Sequence, residues 1–112
     1  MNDRELTELA AKAVGENVEW QETHKAFFRR SCSWPEEKGW FIPLHRDGEA
    51  LRLAAKLQLD ILQDTKSVSI KKWCSVNAEA TDLACEYING DRLVSTRRAI
   101  VLAAAAIGGS MP

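Results

Sequence analysis

The sequence predicts an α+β domain, a small antiparallel sheet covered by helices in the order α-β-β-α-β-β-α. Three observations carry this reading. Apolar residues recur at helical spacing over residues 2–14, over residues 44–62, and from Ser95, or a turn earlier from Asp91, to the pair Gly108-Gly109. Short stretches of two-residue alternation lie between these helical stretches. The 112 residues, 46% hydrophobic and 28% charged, suffice for one core without metal or disulfide and exclude wholesale disorder. Residues 1–112 are therefore expected to form one domain, with Ser110-Met111-Pro112 as a loose tail.

The first helix opens with Asn2 and Glu5 in capping-box spacing and presents Leu6, Leu9, Ala10, Ala13 and Val14 as its buried stripe; Gly15 suits a left-handed cap. Residues 17–22 alternate, with Val18 and Trp20 on one side, and read as a short strand. Residues 26–33 are its candidate partner, with Phe28, Arg30, Cys32 and Trp34 sharing a face. Residues 34–43 read as a loop: Pro35 and Pro43 bar regular pairing, Gly39 suits a turn, and three large apolar residues after it pin the loop to the core.

Residues 44–62 form the clearest amphipathic helix, the element around which the rest is expected to pack. Asp47 stands as its N-cap and Glu49 complements the dipole. Leu51, Ala54, Ala55, Gln58, Ile61 and Leu62 mark the buried face, widened by Leu53 and Leu57, while Arg52, Lys56 and Asp60 face water. Residues 67–74 read as a strand with Val68 and Ile70 on one face, and Trp73 on the other unless a bulge intervenes near Lys71-Lys72. A turn over 75–80 leads to a strand at 81–88, with Leu83, Cys85 and Tyr87 on one side, broken by Asn89-Gly90-Asp91. The last helix is expected to bury Thr96, Ala99, Ile100, Ala103, Ala106 and Ile107. Its alanines permit close approach to a neighbour.

The net charge of −1 provides no global field toward nucleic acid or membrane, so an anion site would have to be local. Cys32, Cys74 and Cys85 are an odd, widely spaced set that reads as free thiols in small core positions, and neither His24 nor His45 has metal-ligand spacing. No cofactor or metal is implied. The charged N-terminus lacks a signal peptide's apolar stretch, and the longest apolar run, Ala99 to Gly109, is too short to cross a bilayer. The expected location is the cytoplasm.

No constellation specifies a reaction. His45 beside Asp47 resembles a base with its orienter, but no nucleophile accompanies it. Two features point to binding instead. Arg97 and Arg98, with Arg92 near them, fall at the start of the last helix, where the dipole disfavours cations; free amides and guanidinium groups there suit a phosphate or carboxylate, unless Glu86 or Asp91 neutralises them. Trp20, Trp34 and Trp40 crowd the stretch before the second helix. Tryptophan is enriched at interfaces, so at least one is expected to be partly exposed, with Trp34 and Trp40 as partner-binding candidates.

Three stretches resemble a known family: Arg4-Glu-Leu-Thr-Glu-Leu-Ala-Ala-Lys-Ala-Val-Gly15, Pro43-Leu-His-Arg-Asp-Gly-Glu-Ala-Leu-Arg-Leu-Ala-Ala-Lys-Leu57 and Thr96-Arg-Arg-Ala-Ile-Val-Leu-Ala-Ala-Ala-Ala-Ile-Gly108. Together they look like the phage ABA sandwich domain of small bacteriophage and prophage proteins. The resemblance implies helix-sheet-helix layering and a phage or prophage source, and carries over no catalytic residue. The expected function is a non-enzymatic accessory protein that binds a host or phage protein and blunts a host defence system. The alternative is a binder of a nucleotide or other small anion at Arg92, Arg97 and Arg98. Membrane and nucleic acid are not expected partners, and self-association is left open.

Overall fold

The computed structural model describes residues 1–34, 39–74 and 79–112, without the side chain of Cys74. The architecture is α+β. Among the described residues the elements are α1 (Asp3–Ala13), β1 (Val18–Gln21), β2 (Ala26–Arg29), β3 (Trp40–Phe41), α2 (Asp47–Leu57), β4 (Asp60–Gln63), β5 (Ser67–Cys74), β6 (Glu79–Tyr87) and α3 (Arg92–Gly109). The strands form two antiparallel sheets, ordered β1-β2-β3 and β4-β5-β6, where one sheet was expected. Two strands are additions: β3 lies in the stretch read as a loop, and β4 in the stretch read as the end of the second helix. Pro35 and most of the expected turn over 75–80 lie outside the described residues.

Local chemistry fixes both ends of α1. The Asn2 Oδ1 accepts from the Glu5 amide at 2.8 Å. At the other end Gly15 sits at φ +72°, and the Gly15 and Glu16 amides donate to the Lys12 and Ala11 carbonyls in a Schellman arrangement. Leu6, Ala10 and Ala11 are buried, flanked by half-buried Leu9 and Val14.

The second helix is shorter than its apolar pattern. It ends at Leu57 because Gln58 turns left-handed, at φ 55°, and the amides of Gln58 and Leu59 close the last turn onto the Ala55 and Ala54 carbonyls. Ile61 and Leu62 therefore belong to β4, where Ile61 packs inward and Leu62 is exposed. The buried face is Ala50, Leu53 and Ala54, and Leu51, expected in the core, is 64% exposed. Arg46, not Asp47, takes the N-cap position.

The element that the others pack around is α3, not α2. Asp91 caps it, its carboxylate accepting from the Leu93 amide at 2.9 Å, so Ser95 lies inside the helix and is buried. Ala99, Ile100, Val101, Ala103, Ala104, Ala105 and Gly108 are buried against α1, α2, β5 and β6. This burial runs most of the way round the helix, beyond the single face expected, while Ala106 is exposed. The α1–α3 contact is closest at Gly108, where a Cβ would stand 1.9 Å from the Leu9 carbonyl oxygen.

In the second sheet Val68 and Ile70 are fully buried beneath α3, as their alternation predicted. The bulge lies on β6. Ile70 pairs with Ala84 and Lys71 with Asp82, leaving Leu83 as the extra residue. Beyond it the inward residues opposite Ile70 and Val68 are Ala84 and Glu86. Cys85 and Tyr87 face outward and are exposed, contrary to the face read from the sequence. Cys85 is thus no core residue, and Cys32 is half-buried; both are free. Trp73 is 54% exposed. No helix among the described residues is long and apolar enough to cross a membrane.

Two leucines two residues apart on α2, and so on opposite sides of it, separate the observed packing from the expected one. Leu53→Ala should cost about 2–5 kcal/mol in denaturant unfolding, and Leu51→Ala should stay within about 0.5 kcal/mol of the parent. Gly108→Ala adds only a methyl group, but against backbone. It should lower stability by about 1–3 kcal/mol, read as a lower melting temperature.

Candidate functional site

The first sheet presents two unlike faces. In the register Trp20↔Phe27 and Phe27↔Phe41, the inward face carries Val18, Trp20, Phe27, Arg29 and Phe41. Arg29 reaches this face two residues after Phe27, by strand alternation. Its side chain is only 7% exposed and is matched on every side. The Nη1 donates to the Trp40 carbonyl at 2.8 Å, the Nη2 meets Glu49 at 2.9 Å, and the Nε stands 3.3 Å from Glu16. The guanidinium also lies 5.4 Å from the centre of the Phe41 ring. One side chain thereby joins β2 to β3, to the loop after α1 and to α2. Lys56 adds a second cation to Glu16 at 3.2 Å.

The outward face is aromatic. Phe28 and Trp40 are cross-strand partners with ring centroids 5.2 Å apart, and Trp34 packs edge-on against both, at 5.0 Å from Phe28 and 5.5 Å from Trp40. His24, from the β1–β2 turn, closes the group at 5.3 Å from Trp34 and 5.1 Å from Trp40. Phe28 is buried although it points away from the core, because these rings and the backbone of Gly39 cover it. A Cβ on Gly39 would stand 2.2 Å from the Phe28 ring. Trp34 remains 52% exposed. On one side of the cluster a cleft of about 370 Å³ is lined by Arg30, Cys32 and Trp34; on the other, one of about 250 Å³ is lined by His24, Trp40 and Arg46.

The structure brings Trp34 and Trp40 together, and places Trp20 on the opposite face with Arg4 over its ring at 4.3 Å. It does not bring Arg92, Arg97 and Arg98 together. The Arg92 guanidinium donates to the Gln63 side chain and the Thr65 carbonyl. Arg97 donates to the Leu44 carbonyl at 2.9 Å and pairs with Asp47 at 2.6 Å. Arg98 pairs with Asp3 at 3.1 Å and Glu86 at 3.3 Å. Because α3 begins at Arg92, Arg97 and Arg98 lie in its second turn, past the amides an anion would need. The neutralising acid expected at Glu86 is present.

Sequence reasoning assigned Arg29 and Glu16 to no site, placed Glu49 only beside the helix dipole, and considered His24 only as a metal ligand. For Arg29 a signal existed: a cation alternating with Phe27 on a core-facing strand requires buried acids. Among the described residues no group of three His, Cys, Asp or Glu side chains is placed to hold a metal ion. Comparison with known proteins finds no matching family model, no matching curated protein and no matching solved structure.

Burial pushes the Glu16 carboxyl up, but the hydrogen bonds and charges of Lys56 and Arg29 outweigh it and hold its pKa below the ordinary 4.5. A carboxyl depressed in the folded state stabilises the fold fully above its unfolded pKa, and that contribution is lost as pH falls through the folded value. Melting temperature should therefore drop as pH falls below about 4.5, and Glu16→Gln should flatten that part of the profile. An unchanged slope in the variant would exclude Glu16 as its source.

Proposed function

We propose that the protein is a non-enzymatic phage or prophage accessory protein that binds a host or phage protein through the aromatic face of its first sheet, blunting a host defence system. The observation that supports this most is Trp34, half-exposed on a platform of Phe28, Trp40 and His24. A large, pre-positioned aromatic side chain loses little conformational freedom on docking, and such residues anchor protein interfaces. The source and the role rest on the resemblance to phage proteins. The small-anion reading has weaker support, since its three arginines hold three different parts of the fold.

The test starts from capture of host proteins on the immobilised chain, followed by binding of the purified captured protein. Trp34→Ser should leave the melting temperature within a few degrees of the parent. It should weaken that binding by about 2 kcal/mol, roughly thirtyfold. Unchanged affinity would rule out the aromatic face as the docking surface.

A further inference from the structure

We propose that Glu49, on α2 and on the far side of the first sheet, is a positioning residue for the aromatic face and acts on it through Arg29. That the face docks a partner rests on the reading given above; the order of its rings does not. The face is assembled from separate units. Phe28 and His24 belong to the β1–β2 hairpin, whereas Trp40 belongs to β3. β3 is tied to α2, because the His45 and Arg46 amides both donate to the Ile42 carbonyl and close a tight turn between them. The cluster is complete only while the hairpin and the β3–α2 unit stay docked.

Strand pairing holds these units together through little more than Phe41 against Phe27 and Trp40 against Phe28. The guanidinium adds the rest. From the hairpin, Arg29 reaches the Trp40 carbonyl at 2.8 Å, the Phe41 ring at 5.4 Å and the Glu49 carboxylate at 2.9 Å, all on the β3–α2 unit. Both charged side chains are withdrawn from water, Arg29 at 7% and Glu49 at 12% exposure. A guanidinium keeps its charge, so a neutral group in place of Glu49 leaves it under-compensated in a dry site. Turning toward water relieves that, and the same movement gives up the Trp40 carbonyl and the Phe41 ring. Trp40 then withdraws from Phe28, Trp34 and His24. α2 itself stays on α3 through Asp47 and Arg97, so the change is confined to the first sheet.

Glu49→Gln keeps the length of the side chain and removes its charge. The ring protons of His24 and the indole protons of Trp34 and Trp40 report the cluster, since these rings stand 5.1, 5.3 and 5.5 Å apart and shift one another's resonances. In Glu49→Gln, full chain at neutral pH, those resonances should move toward the values of isolated rings while the amides of residues 99–105 stay at their parent positions. Affinity for the captured partner should fall at least about tenfold. Arg52→Gln removes an exposed guanidinium 3.9 Å from Glu49 on the same helix and should leave the rings unmoved. The inference is overturned if the rings of Glu49→Gln keep their parent shifts, if the α3 amides move with them, which would make Glu49 a general support of the fold, or if Arg52→Gln moves the rings as far. Displaced rings with unchanged partner affinity would uphold the positioning role and instead overturn the aromatic face as the docking surface.

Discussion

Close approach of backbones around α3 is the constraint on which the structure depends. Its middle consists mainly of alanines, with Gly108 where the Leu9 carbonyl comes nearest. Small side chains bury little area each, but they let α1, α2 and the second sheet sit close on one helix, and dispersion contacts grow with that closeness. A bulkier helix would have to choose one neighbour. The polar connections are confined to its first half, where Arg92 reaches the segment from β4 to Thr65, Arg97 reaches α2, and Arg98 reaches α1 and β6. These cations orient what the alanines allow to come near.

The first sheet shares no strand with the second, and a buried guanidinium does for it what α3 does elsewhere. Burying a charge is costly unless its hydrogen bonds are met. Arg29 meets that condition with Glu16, Glu49 and the Trp40 carbonyl. The last of these contacts holds the two-residue strand β3 in place, and β3 carries Trp40 into the aromatic cluster. The outward aromatic platform is thus positioned from the inward face of the same sheet.

The elements legible in the sequence were those with local punctuation. Asn2 and Gly15 delimit α1, and the alternation of Val68 and Ile70 identifies β5. Errors arose where a residue with no special signal performs an unusual turn. Gln58 adopts a left-handed conformation usually given to glycine, so the apolar pair Ile61-Leu62 extended the helical pattern past its end and drew the inferred face toward Leu51. A bulge was allowed for near Lys71-Lys72 and the register does shift beside Lys71, but the extra residue is Leu83 on the facing strand, and an inward-pointing Glu86 hides behind the more apolar alternation of Cys85 and Tyr87. For the candidate site, the density of tryptophan indicated the region. The convergence of Phe28, Trp34, Trp40 and His24 depends on register and on the bare backbone at Gly39, which composition does not encode.

Two sheets without a common strand also mean two hydrogen-bonded ladders that open separately. The amides in the middle of α3, around Ala99 to Ala105, are enclosed by several elements at once and open only with loss of the fold. The ladder of β1, β2 and β3 has a two-residue strand at one edge and can part from the rest by breaking few main-chain bonds. Fast exchange would then be confined to β1, β2 and β3, between a slow α1 before them and the slow elements after Pro43. The aromatic platform lies on the fast side, able to adjust its rings to a partner while the helical half stays closed.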